Sequence, residues 1–563
     1  MLNRINAKWA LVVIGALLWV GLHVPSIRYG ATDVPLYVTH VGDEQVPING
    51  GLHVLNEKNL LALRDANKAY YGPLMVMLAV PAAAANYAWA TVFEGVASPL
   101  QYRDHVIWDW GGILMFGRGL SVLIGFVGLV IFARILLLSE VNPPHRLWPV
   151  VLAVLLLATE YFFFHYTAHF RHWVFLITIL LAQAYLYFLM RRNGFRLWRH
   201  WFIQAVLSVT TFGISYLGIL FNIVWAPDFI KWIIQPRKNK GVLACAFAYG
   251  AAVLTGAAVM VWWHPYAFFR IIGIVGSDLS GDTAAPALEE HYGTAFSFDY
   301  YTDLFFNNHS ALALAFVLLL AALWSARKRL LFVYPILSLL VIYFLLFGFQ
   351  SHHSTHYFLP AIVLFHLLFG MALVAIAGGE GGQWKKYLLP IVVFLIGIQL
   401  AFNSAVIYKL VGVLRLPPPE TTLARLLVDM QERERGNVLL SGCGPLPVPH
   451  TPAAYADFAS RAERYKTSLY STMLSPEFPY PADVTLLDAY YDDNMPAGER
   501  LNSGDYDRVV VCHPFNPEGD PNRRLEHETK LFNYWDLSAY VDRFEFIYPP
   551  ALRDTTVEGV VFR

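Results

Sequence analysis

The chain is built on a succession of apolar runs, most of them close to the thickness of a bilayer in helical length. They cover residues 10–24, 73–93, 111–138, 147–164, 173–190, 201–234, 241–263, 311–324, 331–349, 358–377 and 388–408. A helix needs about 20 apolar residues to cross the hydrocarbon core. A chain with this many such runs is expected to fold as a polytopic α-helical membrane protein rather than around one soluble core. Composition agrees: 56% of residues are hydrophobic and 15% charged, against about 45–50% and about 25% in soluble domains. The 41 Lys+Arg balance 41 Asp+Glu, which gives no electrostatic case for a nucleic-acid partner. Three cysteines, one of them in an apolar run, exclude a disulfide-scaffold protein.

Connector charges set the expected topology. The basic connectors are His145-Arg146, the stretch 191–200 with four arginines, 236–240, 327–329 and Lys385-Lys386. Positive charge is retained on the cytoplasmic side. All five fall there if 73–93 lies along the outer surface as an interfacial helix and the 34-residue run 201–234 crosses twice as a hairpin. Gly213, Gly218 and Asn222 suit the turn of that hairpin. About 11 transmembrane helices follow, with the N-terminus inside. Residues 1–410 form the membrane domain, whose outer parts are a first loop over 25–110, a second over 264–310, and short links at 165–172 and 350–357. Residues 411–563 form a soluble extracytoplasmic domain.

That tail is acidic. Residues 410–563 hold 15 Lys+Arg and 23 Asp+Glu, leaving 26 and 18 for the rest. After Pro417-Pro418-Pro419, the pattern predicts a small α/β domain with strands over 437–440, 484–487 and 508–512. Cys443 and Cys512 each follow one of these strands, so a disulfide is open to them if the strands are neighbours outside the cytoplasm. Ser441-Gly442-Cys443-Gly444 lacks the spacing of a dinucleotide loop.

The outer face carries most of the chemistry-bearing residues. Asp43 and Glu44 lie in the first outer loop, where a carboxylate just above the leaflet can act as general base on a hydroxyl. His165, His169 and His172 stand at i, i+4 and i+7, one face if the helix continues. No Cys or well-spaced carboxylate joins them, so no metal-ligand set is expected. Arg171 is the better anion contact because it is always charged. Glu160, at the outer end of the third span, is an ionisable group at membrane depth and therefore a site candidate. The 264–310 loop mixes acids and aromatics, Tyr292 among them, as sugar-binding surfaces do.

Six motifs occur in order: Gly42-Asp43-Glu44, Glu57-Lys58-Asn59-Leu60, Ala69-Tyr70-Tyr71-Gly72-Pro73-Leu74, Gly117-Arg118-Gly119-Leu120, Ser215-Tyr216-Leu217-Gly218 and His356-Tyr357-Phe358-Leu359-Pro360. Their order and placement over residues 5–375 resemble the GT-C membrane glycosyltransferases. The similarity is to the bacterial branch related to dolichyl-phosphate-mannose protein mannosyltransferases (glycosyltransferase family 39), with its aminoarabinosyl- and galacturonosyl-transferases.

The resemblance implies a GT-C fold and inverting transfer of a sugar from a polyprenyl-phosphate donor to a lipid, glycan or protein acceptor outside a bacterial inner membrane. Asp43 would be the base and Glu44 its neighbour. His356, Tyr357, His353, Arg171 and His172 would bind the donor phosphate. Glu160, Tyr70, Tyr71, Lys58 and Tyr292 would contact substrate. No cofactor is required; a divalent cation is the one addition the scheme admits. Membrane lipids are the remaining partner expected, and nucleic acid is not.

Two positions depart from the family pattern. His356 stands where the family usually has Arg, and His169-Phe170-Arg171-His172-Trp173 stands where many members have an Asp. A membrane transporter, or a flippase or polymerase of lipid-linked sugars, is the alternative. The long first loop, its acidic pair and the few ionisable residues within spans weigh against it.

Overall fold

The computed structural model describes residues 2–29, 31, 44–65, 71–108, 111–138, 147–269, 298–323, 334–348, 355–378, 385–415, 438–441, 486–488 and 508–511. Sixteen helices order this material. They are α1 (Leu2–Arg28), α2 (Gln45–Glu57), α3 (Pro73–Met77), α4 (Ala79–Phe93), α5 (Pro99–Trp108), α6 (Gly111–Leu138), α7 (Trp148–Ala158) and α8 (Tyr161–Thr167). The second set is α9 (His172–Arg192), α10 (Trp198–Ile214), α11 (Ala226–Ile234), α12 (Pro236–Trp263), α13 (Phe298–Leu323), α14 (Tyr334–Gly348), α15 (Leu359–Ala377) and α16 (Lys385–Val413). Short 3-10 stretches occupy Leu60–Asp65, Tyr216–Trp225 and Thr355–Phe358.

The chain divides into two compact units. One comprises residues 1–27, 46–83 and 116–413; the other comprises 28–45, 84–115 and 414–563. The first is a helical body organised around α15, all 19 of whose residues are buried. That helix is apolar on every face except at His366, which is why it sits inside the body. It packs against α7, α8, α9, α13, α14 and α16. Gly370 permits close approach, since a Cβ there would lie 3.0 Å from Leu136 and 3.1 Å from Ala153.

Eight described helices or helix pairs are long and apolar enough to cross a membrane: Pro73–Phe93, Gly111–Leu138, His172–Arg192, Tyr216–Ile234, Asn239–Trp263, Asp299–Ala321, His356–Ala377 and Lys386–Gly412. A ninth arises if α7 and α8, bent by 63° at their junction, count as one broken span. The expectation was about 11. The difference lies in α10, which is 17 residues long, and in the apolar stretches Val13–Arg28 and Pro335–Gly348, which are shorter than a full span among the described residues. Pro73–Phe93, expected along the surface, meets the length and composition of a span. The body is that of a polytopic helical membrane protein.

The hairpin expected over 201–234 is present. Ser215 is extended (φ −148°, ψ 127°) and ends α10. The following 3-10 stretch folds back, so that Trp225 stacks on Trp201 at 5.1 Å and Asn222 receives the Ser208 hydroxyl at 3.4 Å. Gly218 allows this: a Cβ there would stand 2.2 Å from Thr211. Gln183 of α9 braces the hairpin by donating to Thr211 at 2.8 Å. In a membrane such side chains satisfy groups that water cannot reach.

In the second unit, Asn86 donates to the Tyr102 hydroxyl at 3.1 Å, and Gly112 lies where a Cβ would be 2.0 Å from the Asn86 side chain. The unit also holds a three-stranded parallel sheet in the order β2-β1-β3, with β1 Val438–Ser441, β2 Leu486–Asp488 and β3 Arg508–Val511. Ser441 pairs with Val511. The strands that precede Cys443 and Cys512 are therefore neighbours, while both cysteines lie outside the described residues.

Gly72 shows how tightly the body is packed. A Cβ there would sit 2.2 Å from the backbone oxygen of Gly213, whereas one at Gly250 meets nothing within 4 Å. Gly72→Ala should cost about 1–3 kcal/mol through forced backbone displacement. Gly250→Ala should leave the melting temperature in detergent unchanged or slightly raised. Equal melting temperatures for the two variants would contradict this packing.

Candidate functional site

The site begins at a break in the chain. Helix α7 ends at Thr159, whose hydroxyl donates back to Leu155 O at 2.7 Å. Glu160 then adopts an extended conformation (φ −68°, ψ 127°) and caps α8 by accepting the Phe163 N–H at 2.6 Å. Helix α8 lasts seven residues. A turn through His169 and Phe170 leads to Arg171, extended at φ −128° and ψ 163°, which stands at the start of α9. Close packing of this segment on α6 depends on small residues: a Cβ at Gly117 would be 2.6 Å from the Phe170 ring, and one at Gly125 would be 2.4 Å from Thr167.

This link gathers basic and aromatic side chains from four parts of the body. Arg171 is buried and its Nε donates to the Tyr71 hydroxyl at 3.2 Å. The Tyr71 ring lies 4.7 Å from that of His172. His165 and His169 face each other edge-on at 4.5 Å. From the 3-10 stretch before α15, His356 lies 5.9 Å from Tyr166 and 5.4 Å from Trp173. Tyr357 packs 5.5 Å from Trp173. From α6, the buried Arg118 donates to Ser26 O at 3.2 Å and Ile27 O at 3.3 Å, near the C-terminal end of α1. A helix C-terminus is the end that accepts a cation.

Electrostatics tie these groups into one cluster. Burial, then the neighbouring His165, Arg118, Arg171 and His356, hold the pKa of His169 well below the usual histidine value. His169 is therefore neutral at pH 7. Its Nδ1 and the Nδ1 of His172 are buried with no hydrogen-bond partner. Two guanidinium groups and orphaned imidazole nitrogens in one buried place suit an oxyanion, because charge-assisted bonds to phosphate are strongest where water is excluded. Among the described residues no group of three His, Cys, Asp or Glu is arranged to hold a metal ion.

The structure brings together five of the residues expected from the sequence: Tyr71, Arg171, His172, His356 and Tyr357. It places Glu160 elsewhere, at the α7–α8 junction, 1% exposed and 3.3 Å from His309 Nε2. Glu44 is fully buried at the entry to α2. Lys58 is exposed just past the end of α2, in the left-handed region at φ 49°. Asp43, Tyr70, Tyr292 and His353 lie outside the described residues.

The three histidines at i, i+4 and i+7 do not share one helical face. The chain leaves the helix after Thr167 and re-enters at His172, so His172 turns to Tyr71 while His165 and His169 stay paired. Arg118 and Trp173 are site members that the sequence reading did not single out as ligands, whereas His169 was grouped with His165 and His172. Arg118 stood within the Gly117-Arg118-Gly119 motif, and the two glycines were the available signal.

No protein-family model and no curated protein matches the sequence. Among solved structures, the chain is similar to the crystal structure of ArnT from Cupriavidus metallidurans, in which that protein is bound to undecaprenyl phosphate. The two are 13% identical, with a TM-score of 0.43, and the match covers 78% of this chain and 82% of ArnT.

The His169 arrangement fixes a pH dependence. In the unfolded chain a histidine takes up its proton near pH 6.5, whereas the folded site disfavours the charged form of His169. The unfolded state therefore binds more protons below that pH, and stability falls as pH falls. Thermal unfolding in detergent from pH 8 to pH 5 should show this loss, and His169→Gln should reduce it. An acid limb identical in the two proteins would contradict the assignment.

Proposed function

We propose that the chain is an inverting membrane glycosyltransferase that moves a sugar from a polyprenyl-phosphate donor to an extracytoplasmic acceptor. The observation that supports this reading is the cluster of the buried Arg118, Arg171 and His172 with the half-buried His165, His169 and His356, set in a helical membrane body. A prenyl chain partitions among apolar helices, and its phosphate needs cationic and N–H partners at the end of that path. The cluster offers both.

In this scheme the donor phosphodiester docks against Arg171, with His172, His356, Tyr357 and His353 around it and Arg118 adding charge from α6. Asp43, with Glu44 beside it, takes the proton from the acceptor hydroxyl as that oxygen attacks the anomeric carbon. The bond from sugar to phosphate breaks, and the lipid phosphate leaves with its charge held by the guanidinium groups. Lys58, Tyr70, Tyr71 and Tyr292 contact sugar or acceptor. No cofactor is needed, and a divalent cation would act only as an added phosphate counter-ion. A bacterial inner membrane, with the active site and the tail domain outside the cytoplasm, is the setting that fits such a donor. The six ordered motifs support the assignment of the base.

The test is a transfer assay on purified protein with a panel of prenyl-phosphate sugars, following release of prenyl phosphate. Wild type should release it from one donor class. A general base contributes about 10²–10⁴-fold, so Asp43→Asn should lose at least that lower factor in kcat while keeping wild-type melting behaviour. Absence of release from every donor by well-folded protein would overturn the proposal and favour a transporter or flippase.

A further inference from the structure

Three ionisable side chains meet inside the helical body, away from the Arg118–Arg171 cluster. Glu160 Oε1 lies 3.3 Å from His309 Nε2. The His309 and His366 rings stand edge-on at 5.6 Å. All three residues are 1% exposed. His309 falls near the middle of the span Asp299–Ala321, and His366 near the middle of His356–Ala377. Ionisable residues at such depth are costly and by default functional.

The backbone is broken at this place twice. Glu160 occupies the 63° bend between α7 and α8. His309 interrupts α13 with non-helical angles (φ −130°, ψ 20°). Neutral polar groups surround the junction. Gln399 of α16 donates to Asn308 O at 2.7 Å and to Asn403 Oδ1 at 2.8 Å, and Asn403 reaches the Thr159 hydroxyl at 3.5 Å.

The hydrogen-bond chemistry has one consequence. His309 Nδ1 faces Phe305 O at 3.3 Å, and His366 Nδ1 faces Ile362 O at 2.9 Å. A carbonyl oxygen only accepts, so both Nδ1 atoms carry hydrogen. In a neutral imidazole the other nitrogen then carries a lone pair. His309 Nε2 would turn that lone pair toward a carboxylate oxygen, which repels it. Their close approach requires a proton between them, on the imidazole or on the carboxyl. The His366 Nε2 is buried with no hydrogen-bond partner, a second acceptor next to the first.

We infer that Glu160, His309 and His366 form a proton-binding site within the membrane body, which fastens the broken α13 to the α7–α8 bend. The ligand is a proton. A divalent cation is the competing occupant of a carboxylate with two imidazoles, and the described residues do not have the arrangement to hold one. The groups acting electrostatically on Glu160 are His309 and His366, from α13 and α15. Among the described residues, α16 and the end of α7 bring the neutral Gln399, Asn403 and Thr159 to this junction. On α8, Tyr161 stacks on His165 at 5.7 Å, so one short helix separates the proton site from the histidines at the α8–α9 link. The inference stands whether or not that link binds phosphate.

Removing the proton leaves a carboxylate facing a lone pair, so alkaline pH should weaken the junction. Glu160→Gln supplies an amide N–H to His309 Nε2, and His309→Gln supplies one to Glu160. Each replaces the proton by a donor that does not titrate. The experiment is thermal unfolding of the full chain in detergent from pH 6 to pH 10, for wild type and both variants, with metal analysis before and after chelation. Wild type should lose melting temperature as pH rises. Whichever of the two variants folds should lose markedly less, and chelation should change nothing. Parallel alkaline limbs in wild type and variant would overturn the proposal. So would a stoichiometric metal whose removal lowers the wild-type melting temperature.

Discussion

A backbone that leaves the helical conformation inside an apolar body must find partners for the N–H and C=O groups it frees, and the site depends on how this is done after α7. Thr159 folds its hydroxyl onto the preceding turn, and Glu160 caps the next helix through Phe163 N–H. An uncapped α8 would leave buried donors unmet, at a cost comparable to lost hydrogen bonds. The resulting bend directs α8 so that His165 and His169 pack together, and so that the chain re-enters helix at His172 with Arg171 against Tyr71. A continuous helix from Trp148 onward would have spread these residues along one face.

The second requirement is electrostatic. Guanidinium groups remain charged in a low-dielectric setting, and neighbouring imidazoles respond by staying neutral, as at His169. Such a cluster is poised for an anion, because a bound phosphate would reverse the sign of the local field and give the orphaned imidazole nitrogens a partner. The aromatic lining by Tyr166, Trp173 and Tyr357 keeps the histidines in place by ring contact.

Much of this was legible in the sequence, for physical reasons that differ by element. The 201–234 hairpin could be read because a run of that length exceeds one span and its glycines mark the turn. Arg171, His172, His356 and Tyr357 could be read because charged or hydrogen-bonding residues at the ends of apolar runs have few structural roles. Arg118 was obscured by its position inside a long apolar helix, where its partners come from residues about 90 and 50 positions away. Glu160 was legible as an ionisable site candidate at the outer end of the third span, but the helix break it caps was not: a break within an apolar run leaves no Gly or Pro signature when a Thr–Glu pair performs it. His309 and His366 carried no local signal at all, since their meaning arises only when α13 and α15 pack together. The span count came out lower among the described residues because α10 is 17 residues long and the described apolar stretches Val13–Arg28 and Pro335–Gly348 fall short of a full span.

The central claim is that the arginine and histidine cluster at the α8–α9 link binds the phosphate of a prenyl lipid. The most direct measurement is a cryo-EM map of the purified protein with an added polyprenyl phosphate. The account predicts density for the phosphate within hydrogen-bond distance of Arg171, with the prenyl chain running between helices of the body. A well-ordered lipid phosphate bound elsewhere, with the Arg171–Tyr71 contact and both orphaned imidazole nitrogens unchanged, would contradict it.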